Sequence, residues 1–345
     1  MSDKPRISVV VSTRNRGTMI DPALRSLLAM NHPAFEVIVV DQSTDTTTAA
    51  LVEEIANHDH RVRYVQSKRV GLSSGRNDGL AAARGEVIAF TDDDCVVDSD
   101  WLAGVELEMS DPHVAGVFGR VLPAEQGKRT GIDLAFKDSR QRVEYAGRAI
   151  PWHVGHGANM AFRRRDLLAA GGFDEVLGAG GPIPSHEDGD ITYRLLAHDR
   201  RVVFSPAPLV YHRQWRDWDE RKKTERNYGL GAGGQFTKYA RCGDWNGARL
   251  LGTWMWQLGV RRVGAGIFKW RSRKVVYLGL TQLMYPWVGV WRSLRFGVDR
   301  NLVRYRTQVS DALVGDWLGG GGHDLTTVSP APDLPTEAAQ PVEQR

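Results

Sequence analysis

Strand-like and helix-like stretches alternate over about the first 95 residues of this chain, and this alternation constrains its fold most strongly. The strand candidates at 7–11, 37–40, 62–65 and 87–90 are short and mostly rich in β-branched residues. Between them, apolar residues recur at helical spacing. Strands that are buried on both faces read as such continuous apolar runs. The pattern predicts a parallel, doubly wound sheet with right-handed crossovers.

Polar residues follow three of these strands. Thr13 and Arg14 come after the first, Asp41 ends the second, and three aspartates at 92–94 follow the fourth. Ligands of doubly wound sheets bind beyond the carboxyl ends of the strands, so we expect these side chains to meet at one edge, where a nucleotide would lie. Three adjacent carboxylates repel one another and favour a hard cation, Mg²⁺ or Mn²⁺. A solvated acidic turn is the alternative for the aspartates alone.

Other motifs exclude several classes of protein. The loop 12–17 lacks G-x-G-x-x-G, and the match at 229–234 follows no strand, so we interpret it as a flexible or close-packed joint. No P-loop motif is present.

Cys95 and Cys242 lie far apart, which predicts a reducing compartment. No secretory signal is visible at the start, so a cytoplasmic location is expected.

Six motifs follow one another in the first 215 residues: 7–16 (ISVVVSTRNR), 39–45, 71–79, 92–94, 156–163 with 171–175, and 187–195. Together they resemble, in order, the motifs of the inverting GT-A glycosyltransferases of family 2. Two positions depart from the family pattern. Arg14 stands where a tyrosine is common, and Cys95 stands where a further acid often follows the D-x-D, which leaves open which carboxylate contacts the metal.

The resemblance implies an α/β fold with a GT-A-type doubly wound, mainly parallel sheet, as in nucleotide-diphospho-sugar transferases. Beyond residue 215 the resemblance fades, and composition predicts a C-terminal helical extension. The resemblance implies a catalytic domain at 1–215, with a nucleotide-binding half at 1–97 and an acceptor-binding half at 98–215. It also assigns residues: Thr13, Arg14, Asp41, Arg76 and Asp92 to the nucleotide, Asp92, Asp94 and His212 to the metal, Gly157, Asn159 and Glu187 to the acceptor, and Asp188 to catalysis.

The assignment of Asp188 also has a chemical reason. Transfer to a hydroxyl needs a positioned carboxylate that accepts the hydroxyl proton, and an inverting enzyme needs only one such base. Glu187, beside it, would contact the acceptor. An acidic pair at a helix N-terminus, favoured by the helix dipole, is a compatible alternative. For His212, a capping or packing role is the alternative to a place near the metal or diphosphate.

The segment 216–315 is basic and rich in tryptophan. Between residues 213 and 306, 20 Lys and Arg face 6 Asp and Glu, which favours an anionic partner. The stretch 275–291 is free of charge and flanked by bases, so we predict a helix in a membrane interface, with a core helix as the alternative. Nucleic acid is not expected, because no binding motif accompanies the bases. A disordered tail is predicted at 316–345.

The main hypothesis is a metal-dependent inverting glycosyltransferase that uses Mn²⁺ or Mg²⁺ and a nucleotide-diphospho-sugar, with a UDP-sugar favoured. Its acceptor would be a glycan or lipid-linked, and the protein would be peripheral on the inner face of the cell membrane. A sugar nucleotidyltransferase would need a Gly-rich basic loop at 12–17, which has one glycine. The remaining alternative is a non-catalytic nucleotide-sugar-binding subunit of a polysaccharide synthase, and the intact Asp92, Asp94 and Asp188 argue against it.

Overall fold

The computed structural model describes residues 5–124, 136–213 and 217–307. Four parallel strands form one half of its main sheet, in the order β3-β2-β1-β4. The central strands are buried on both faces, because helices cover both sides of the sheet. The elements are β1 (Ile7–Thr13), α1 (Asp21–Leu28), β2 (Phe35–Asp41), α2 (Thr47–His58), β3 (Val62–Gln66), α3 (Leu72–Ala82) and β4 (Val87–Asp92).

The register of these strands determines which side chains meet at their carboxyl ends. Thr13 of β1 pairs with Asp41 of β2, and Ser12 pairs with Asp92 of β4. The polar strand ends therefore lie side by side along one edge. The predicted α/β, doubly wound architecture is confirmed.

The second half extends the sheet in the order β4-β8-β6-β9-β5, with β7 also paired to β9. β8 is antiparallel to both of its neighbours, which makes this mainly parallel sheet a mixed one. The elements are β5 (Cys95–Val97), α4 (Trp101–Met109), β6 (Val114–Pro123), β7 (Val143–Tyr145), β8 (Met160–Arg163), α5 (Arg164–Ala169), α6 (Glu187–Ala197) and β9 (Arg201–His212).

Successive residues of the central strands point to opposite faces of the sheet and lie in two separate apolar cores. Val9 and Val37 face a core that includes Leu24 of α1, whereas Val10 faces a core that includes Leu80 of α3. This follows from the two-residue period of a strand, which sends successive side chains to opposite faces. The second core also holds Ile191 and Leu195 of α6, which fixes that helix against the sheet.

The C-terminal region forms a helical unit packed on the sheet domain. From 246 to 269 the chain is continuously helical, with two π-helical segments, and then turns back into α10. Its elements are α7 (Trp218–Arg241), α8 (Asn246–Trp254), the π-helical segment Met255–Val260, α9 (Arg261–Gly264), the π-helical segment Ala265–Lys269, α10 (Arg273–Ser293), β10 (Val298–Asp299) and β11 (Arg304–Tyr305). The predicted tail at 316–345 lies outside the described residues.

Glycines let α7 and α10 approach closely. A Cβ at Gly233 would lie 1.9 Å from the carbonyl oxygen of Pro286, and one at Gly289 would lie 2.1 Å from that of Leu230. The glycine-rich run 229–234 is thus part of α7 and serves close helix packing, one of the two interpretations that the sequence allowed.

A buried ionic network joins α7 to the sheet domain. Lys238 Nζ donates to Asp174 Oδ2 at 2.7 Å and to Asp190 Oδ1 at 2.5 Å. Arg194 Nε bonds to the other oxygen of Asp190 at 2.8 Å, and all four side chains are at most 1% exposed. Burial raises the pKa of Asp190, and the two cations more than offset this, so its pKa lies below the usual value.

Helix α10, which contains the stretch 275–291, has one buried and one exposed face. Gln282, Pro286 and Gly289 are buried against the rest of the protein, whereas Met284 and Trp287 on the other face are exposed. Within the described residues, no helix has the length and apolar character needed to span a membrane.

Candidate active site

The predicted strand ends form the wall of a cavity of about 270 Å³, here called the edge cavity. Thr13 ends β1 at this edge, and the exposed Arg14 follows it. Ala179 and Gly180, from the loop before α6, form the facing wall. Other lining residues are Ser12, Arg16, Gln42, Gly71, Leu72, Asp92, Asp93 and Asp94.

Asp41 lies beside this cavity at the end of β2 and is itself buried. One carboxylate oxygen accepts from the backbone N–H of Ser43 at 2.9 Å, and the other accepts from the Tyr64 hydroxyl at 3.0 Å. Burial, followed by the bond to Asp41, raises the pKa of Tyr64 far above its usual value, so the phenol stays a donor. The nucleotide-binding role of Asp41 remains a prediction.

The three aspartates have different environments. Asp92 is the most accessible, whereas Asp93 and Asp94 are buried. Asp93 accepts from Thr13 Oγ1 at 2.6 Å, and burial raises its pKa to about 6 although the nearby Arg16 opposes the shift. Arg16 Nη1 also lies 3.3 Å from Asp94 Oδ2. This arginine compensates two of the charges, a role that the sequence did not reveal.

His212 joins this group through strand pairing. It lies opposite Cys95 in the antiparallel β5–β9 pair, and its Nε2 is 3.4 Å from Asp94 Oδ1. Ligand atoms of Asp92, Asp94, Cys95 and His212 all lie within 4.8 Å of one another. The sequence predicted three of these residues as metal ligands, and the fold brings those three together.

The residues of this group fit a hard divalent ion. Carboxylate oxygens are its preferred ligands, and imidazole also serves Mn²⁺-type ions. The ring of His212 is 2% exposed, and its Nδ1 has no hydrogen-bond partner in the described parts of the chain. Burial raises the pKa of the Cys95 thiol well above its usual value, which disfavours the thiolate that a metal would need.

Arg76 connects the edge cavity to the N-terminus of α6. Its guanidinium lies 3.3 Å from Asp92 Oδ1, donates to Glu187 Oε1 at 2.9 Å and donates to the carbonyl of Gly157 at 3.2 Å. It also lies over the ring of Phe173, 5.5 Å from the centroid. Such a buried guanidinium needs these partners, because an unpaired buried charge is strongly unfavourable.

Asp188 is half-buried in the first turn of α6. Its two oxygens accept from the backbone N–H groups of Gly157, at 2.8 Å, and Gly189, at 2.7 Å. A Cβ at position 157 would lie 3.1 Å from Arg76 Nη2 and 3.2 Å from Asp188 Oδ2, so glycine permits this close approach. Burial and the Asp188 charge raise the pKa of Glu187 to about 7, against the attraction of Arg76.

Asn159, predicted to contact the acceptor, is buried behind Gly157. Its side-chain oxygen accepts from Trp101 Nε1 at 2.8 Å, and its amide nitrogen donates to the carbonyls of Arg120, at 2.7 Å, and Pro208, at 3.0 Å. These bonds tie β8 to β6 and β9. Contact with an acceptor stays a prediction for Asn159.

Asp188 also lines a second cavity of about 440 Å³, here called the helix cavity. The sheet domain contributes Trp152 and His156, and the helical unit contributes Trp254 and Arg262. Burial lowers the pKa of His156 and that of His186, the latter to about 4, so both rings are neutral at pH 7. The remaining lining residues are Phe136, Pro151, Gly155, His186, Gly189, Arg221, Glu225, Tyr228 and Leu258.

Known proteins resemble this chain in sequence. A sequence profile described as Glycosyl transferase family 2 matches residues 8–169. The Pre-mycofactocin glycosyltransferase of Mycobacterium tuberculosis is 28% identical over 235 residues, which cover 63% of this chain and 45% of that protein. The GalNAc(5)-diNAcBac-PP-undecaprenol beta-1,3-glucosyltransferase of Campylobacter jejuni is 30% identical over 125 residues, 36% of this chain and 40% of that protein. The chain thus spans less than half the length of these relatives.

The fold has a solved counterpart. A mannosyltransferase from Pyrobaculum calidifontis, in complex with GDP-Man and Mn²⁺, superposes with a TM-score of 0.57 and 18% identity, covering 84% of this chain and 87% of that one. At this identity the likeness concerns the fold, which is that of GT-A transferases. By its fold and by the profile match at residues 8–169, the chain is similar to the glycosyltransferases of family 2.

Proposed function

We propose that this protein is a metal-dependent inverting glycosyltransferase that moves a sugar from a nucleotide-diphospho-sugar to a hydroxyl of a glycan or lipid-linked acceptor. One observation carries the proposal. Arg76 bonds to Asp92 on the wall of the edge cavity and to Gly157, whose N–H holds Asp188 on the wall of the helix cavity. This series of contacts supports a donor site that adjoins a single carboxylate base on the acceptor side.

The edge cavity would hold the nucleotide diphosphate. Asp92, Asp94 and His212 would bind Mn²⁺ or Mg²⁺, which when bound neutralises charge that develops on the leaving diphosphate. The exposed guanidinium of Arg14 is suited to stack on the nucleotide base. We favour a UDP-sugar. The solved mannosyltransferase is in complex with GDP-Man, so guanine donors are the alternative to test.

Asp188 would accept the proton of the acceptor hydroxyl as that oxygen attacks the anomeric carbon. The N–H groups of Gly157 and Gly189 hold its carboxylate in one orientation. Glu187 is bonded to Arg76 and would contact the acceptor without serving as the base. One base and one displacement invert the anomeric configuration.

Nucleotide binding tests the donor and metal sites together. With a saturating donor, at about 100 times its Kd, the melting temperature should rise by about 5 °C in Mn²⁺ and much less in EDTA. Asp94→Asn should abolish the metal-dependent part of the shift, measured by thermal denaturation with a panel of UDP- and GDP-sugars. Asp100→Asn, an exposed change of the same kind, should behave as the parent protein. Equal shifts in Mn²⁺ and EDTA would contradict the metal role.

We also propose that the helical unit binds an anionic membrane surface. Its exposed side chains combine large apolar groups with bases. Phe268 and Trp270 alternate in sequence with Lys269 and Arg271, and Trp287 of α10 is also exposed. Phe268 is 83% exposed and Trp287 is 59% exposed, which is unusual for side chains that stay in water. Aromatic residues with adjacent bases are typical of interfacial helices. This surface would place the protein on the inner face of the cell membrane.

Replacing Arg271, Arg273 and Lys274 by Ser should weaken binding to anionic vesicles about 100-fold, because each base near such a surface contributes about 1 kcal/mol. Co-sedimentation at low and high salt measures this. Replacing Arg140, Arg148 and Arg165, exposed bases of the sheet domain, should leave binding unchanged. If the unmodified protein does not sediment with anionic vesicles at low salt, the membrane proposal is wrong.

A further inference from the structure

The helix cavity has different chemistry at its two ends. Asp188 lies at one end, beside Gly189, whose Cβ position is 3.6 Å from Gln235 Nε2 of α7. Arg221 and Glu225, also on α7, line the cavity 10 or more residues before Gln235. At about 1.5 Å of rise per helical residue, the arginine end therefore lies about 15 Å along the α7 axis from the level of Asp188.

Aromatic rings occupy the wall between the two ends. The ring of Trp254 lies 5.0 Å from that of Trp152 and 4.9 Å from that of His186. His186 also faces Tyr228 at 6.4 Å. Such rings offer flat apolar faces to the C–H groups of a sugar, and a wall of this length accommodates one or two sugar rings.

Two arginines and one carboxylate make up the far end. Arg221 bonds to Glu225, and Arg262 Nη1 lies 3.1 Å from Glu225 Oε2. Glu225 also accepts from Gln282 Nε2 at 2.6 Å, so its oxygens are shared among several donors. Among the described residues, Nε and Nη2 of Arg262 have no hydrogen-bond partner, and the side chain is 29% exposed on the cavity wall.

We propose that the acceptor carries a phosphate, bound at this end by Arg262 and Arg221 while its hydroxyl meets Asp188. A guanidinium fork matches phosphate geometry, and Nε and Nη2 of Arg262 can donate to an anion. This inference rests on the proposed function, because it takes Asp188 as the end that meets the hydroxyl. Its substrate class is a glycosyl phosphate, soluble or attached to a lipid.

The surroundings of α7 favour the lipid-attached form. Trp218, at the start of this helix, lies 6.3 Å from the ring of Tyr277 and beneath Lys274 Nζ, at 4.9 Å. Lys274 is one of the bases of the proposed membrane surface. A lipid chain that leaves the phosphate end would therefore meet that surface after a short path.

Binding without donor or metal tests this inference separately from sugar transfer. Farnesyl phosphate, glucose 1-phosphate and phosphate-free farnesol are titrated into the full chain in EDTA, and tryptophan fluorescence reports binding. We expect Arg262→Gln to weaken binding of the phosphates about 10- to 100-fold and to leave farnesol unchanged. Arg262→Lys, which keeps the charge, should lose less. Arg261→Gln, its exposed neighbour outside the cavity lining, is the matched control.

Comparison of farnesyl phosphate with glucose 1-phosphate distinguishes a lipid-attached phosphate from a soluble one. Tighter binding of farnesyl phosphate assigns a lipid-linked acceptor, and tighter binding of glucose 1-phosphate assigns a soluble one. The inference is overturned if neither phosphate binds the unmodified protein, or if Arg262→Gln and Arg262→Lys both bind them as well as Arg261→Gln does. Because the assay contains no nucleotide sugar, either outcome leaves the proposed transferase activity to its own test.

Discussion

Replacing Asp188 by Asn is expected to lower sugar transfer by about 10²- to 10⁴-fold while the affinity for the nucleotide sugar stays near that of the parent protein. The carboxylate accepts a proton only as the acceptor attacks, so its loss affects the transition state and not donor binding. Asn keeps the size of the side chain and one oxygen for the N–H of Gly157 or Gly189. Initial transfer rates and donor titration measure the two effects separately.

Asp199→Asn provides the matched control. It makes the same change just beyond the other end of α6, at an exposed position whose φ of 56° asparagine readily adopts. Near-normal transfer by the Asp188 variant would show that another group is the base. Glu187, bonded to Arg76 beside it, would then be replaced first.

Replacing Lys238 by Met should destabilise the protein by about 3–5 kcal/mol. The change leaves Asp174 without its cation and Asp190 with Arg194 alone, all in a fully buried site. Lys238 bonds to Asp190 of α6, two residues after Asp188, and so connects the helical unit to this helix. Loss of the bond should therefore also loosen α6. Urea denaturation followed by circular dichroism measures the free energy of unfolding.

The pH dependence of this effect has a defined sign. The lowered pKa of Asp190 stabilises the fold above the ordinary aspartate pKa, about 3.9, and this contribution is lost as the pH falls through the folded-state pKa. The loss in free energy of unfolding caused by Lys238→Met should therefore be largest at pH 7 and smaller in acid. Lys223→Met, an exposed lysine of the same helix, should change stability little. A deficit below about 1 kcal/mol would contradict the structural role of the network.

Local sequence patterns were sufficient to predict that polar side chains meet at the carboxyl ends of the parallel strands. The short apolar runs fixed the parallel strands, and strand ends that carry Thr13, Asp41 and Asp92 have to meet in such a sheet. The resemblance to GT-A enzymes added His212, which β9 brings to Asp94 by pairing with β5. For these residues, secondary structure and topology determine proximity.

Contacts set by tertiary packing were not predicted. Arg16 lies three residues after Thr13, in the loop that follows β1. Nothing in its local sequence indicates that it compensates the charges of Asp93 and Asp94. Trp254 and Arg262 reach the helix cavity only because the C-terminal helices fold back on the sheet domain. The alternatives for 275–291 stayed open because a charge-free helix with one buried and one exposed face satisfies both.

The configuration of the product tests the central claim most directly. The unmodified protein, supplied with Mn²⁺, a nucleotide sugar selected by the thermal panel and an acceptor, is followed by proton NMR of the anomeric position in the first product formed. A single displacement assisted by Asp188 predicts the configuration opposite to that of the donor. A product that retains the donor configuration would contradict this account, because retention requires a second displacement or a different mechanism.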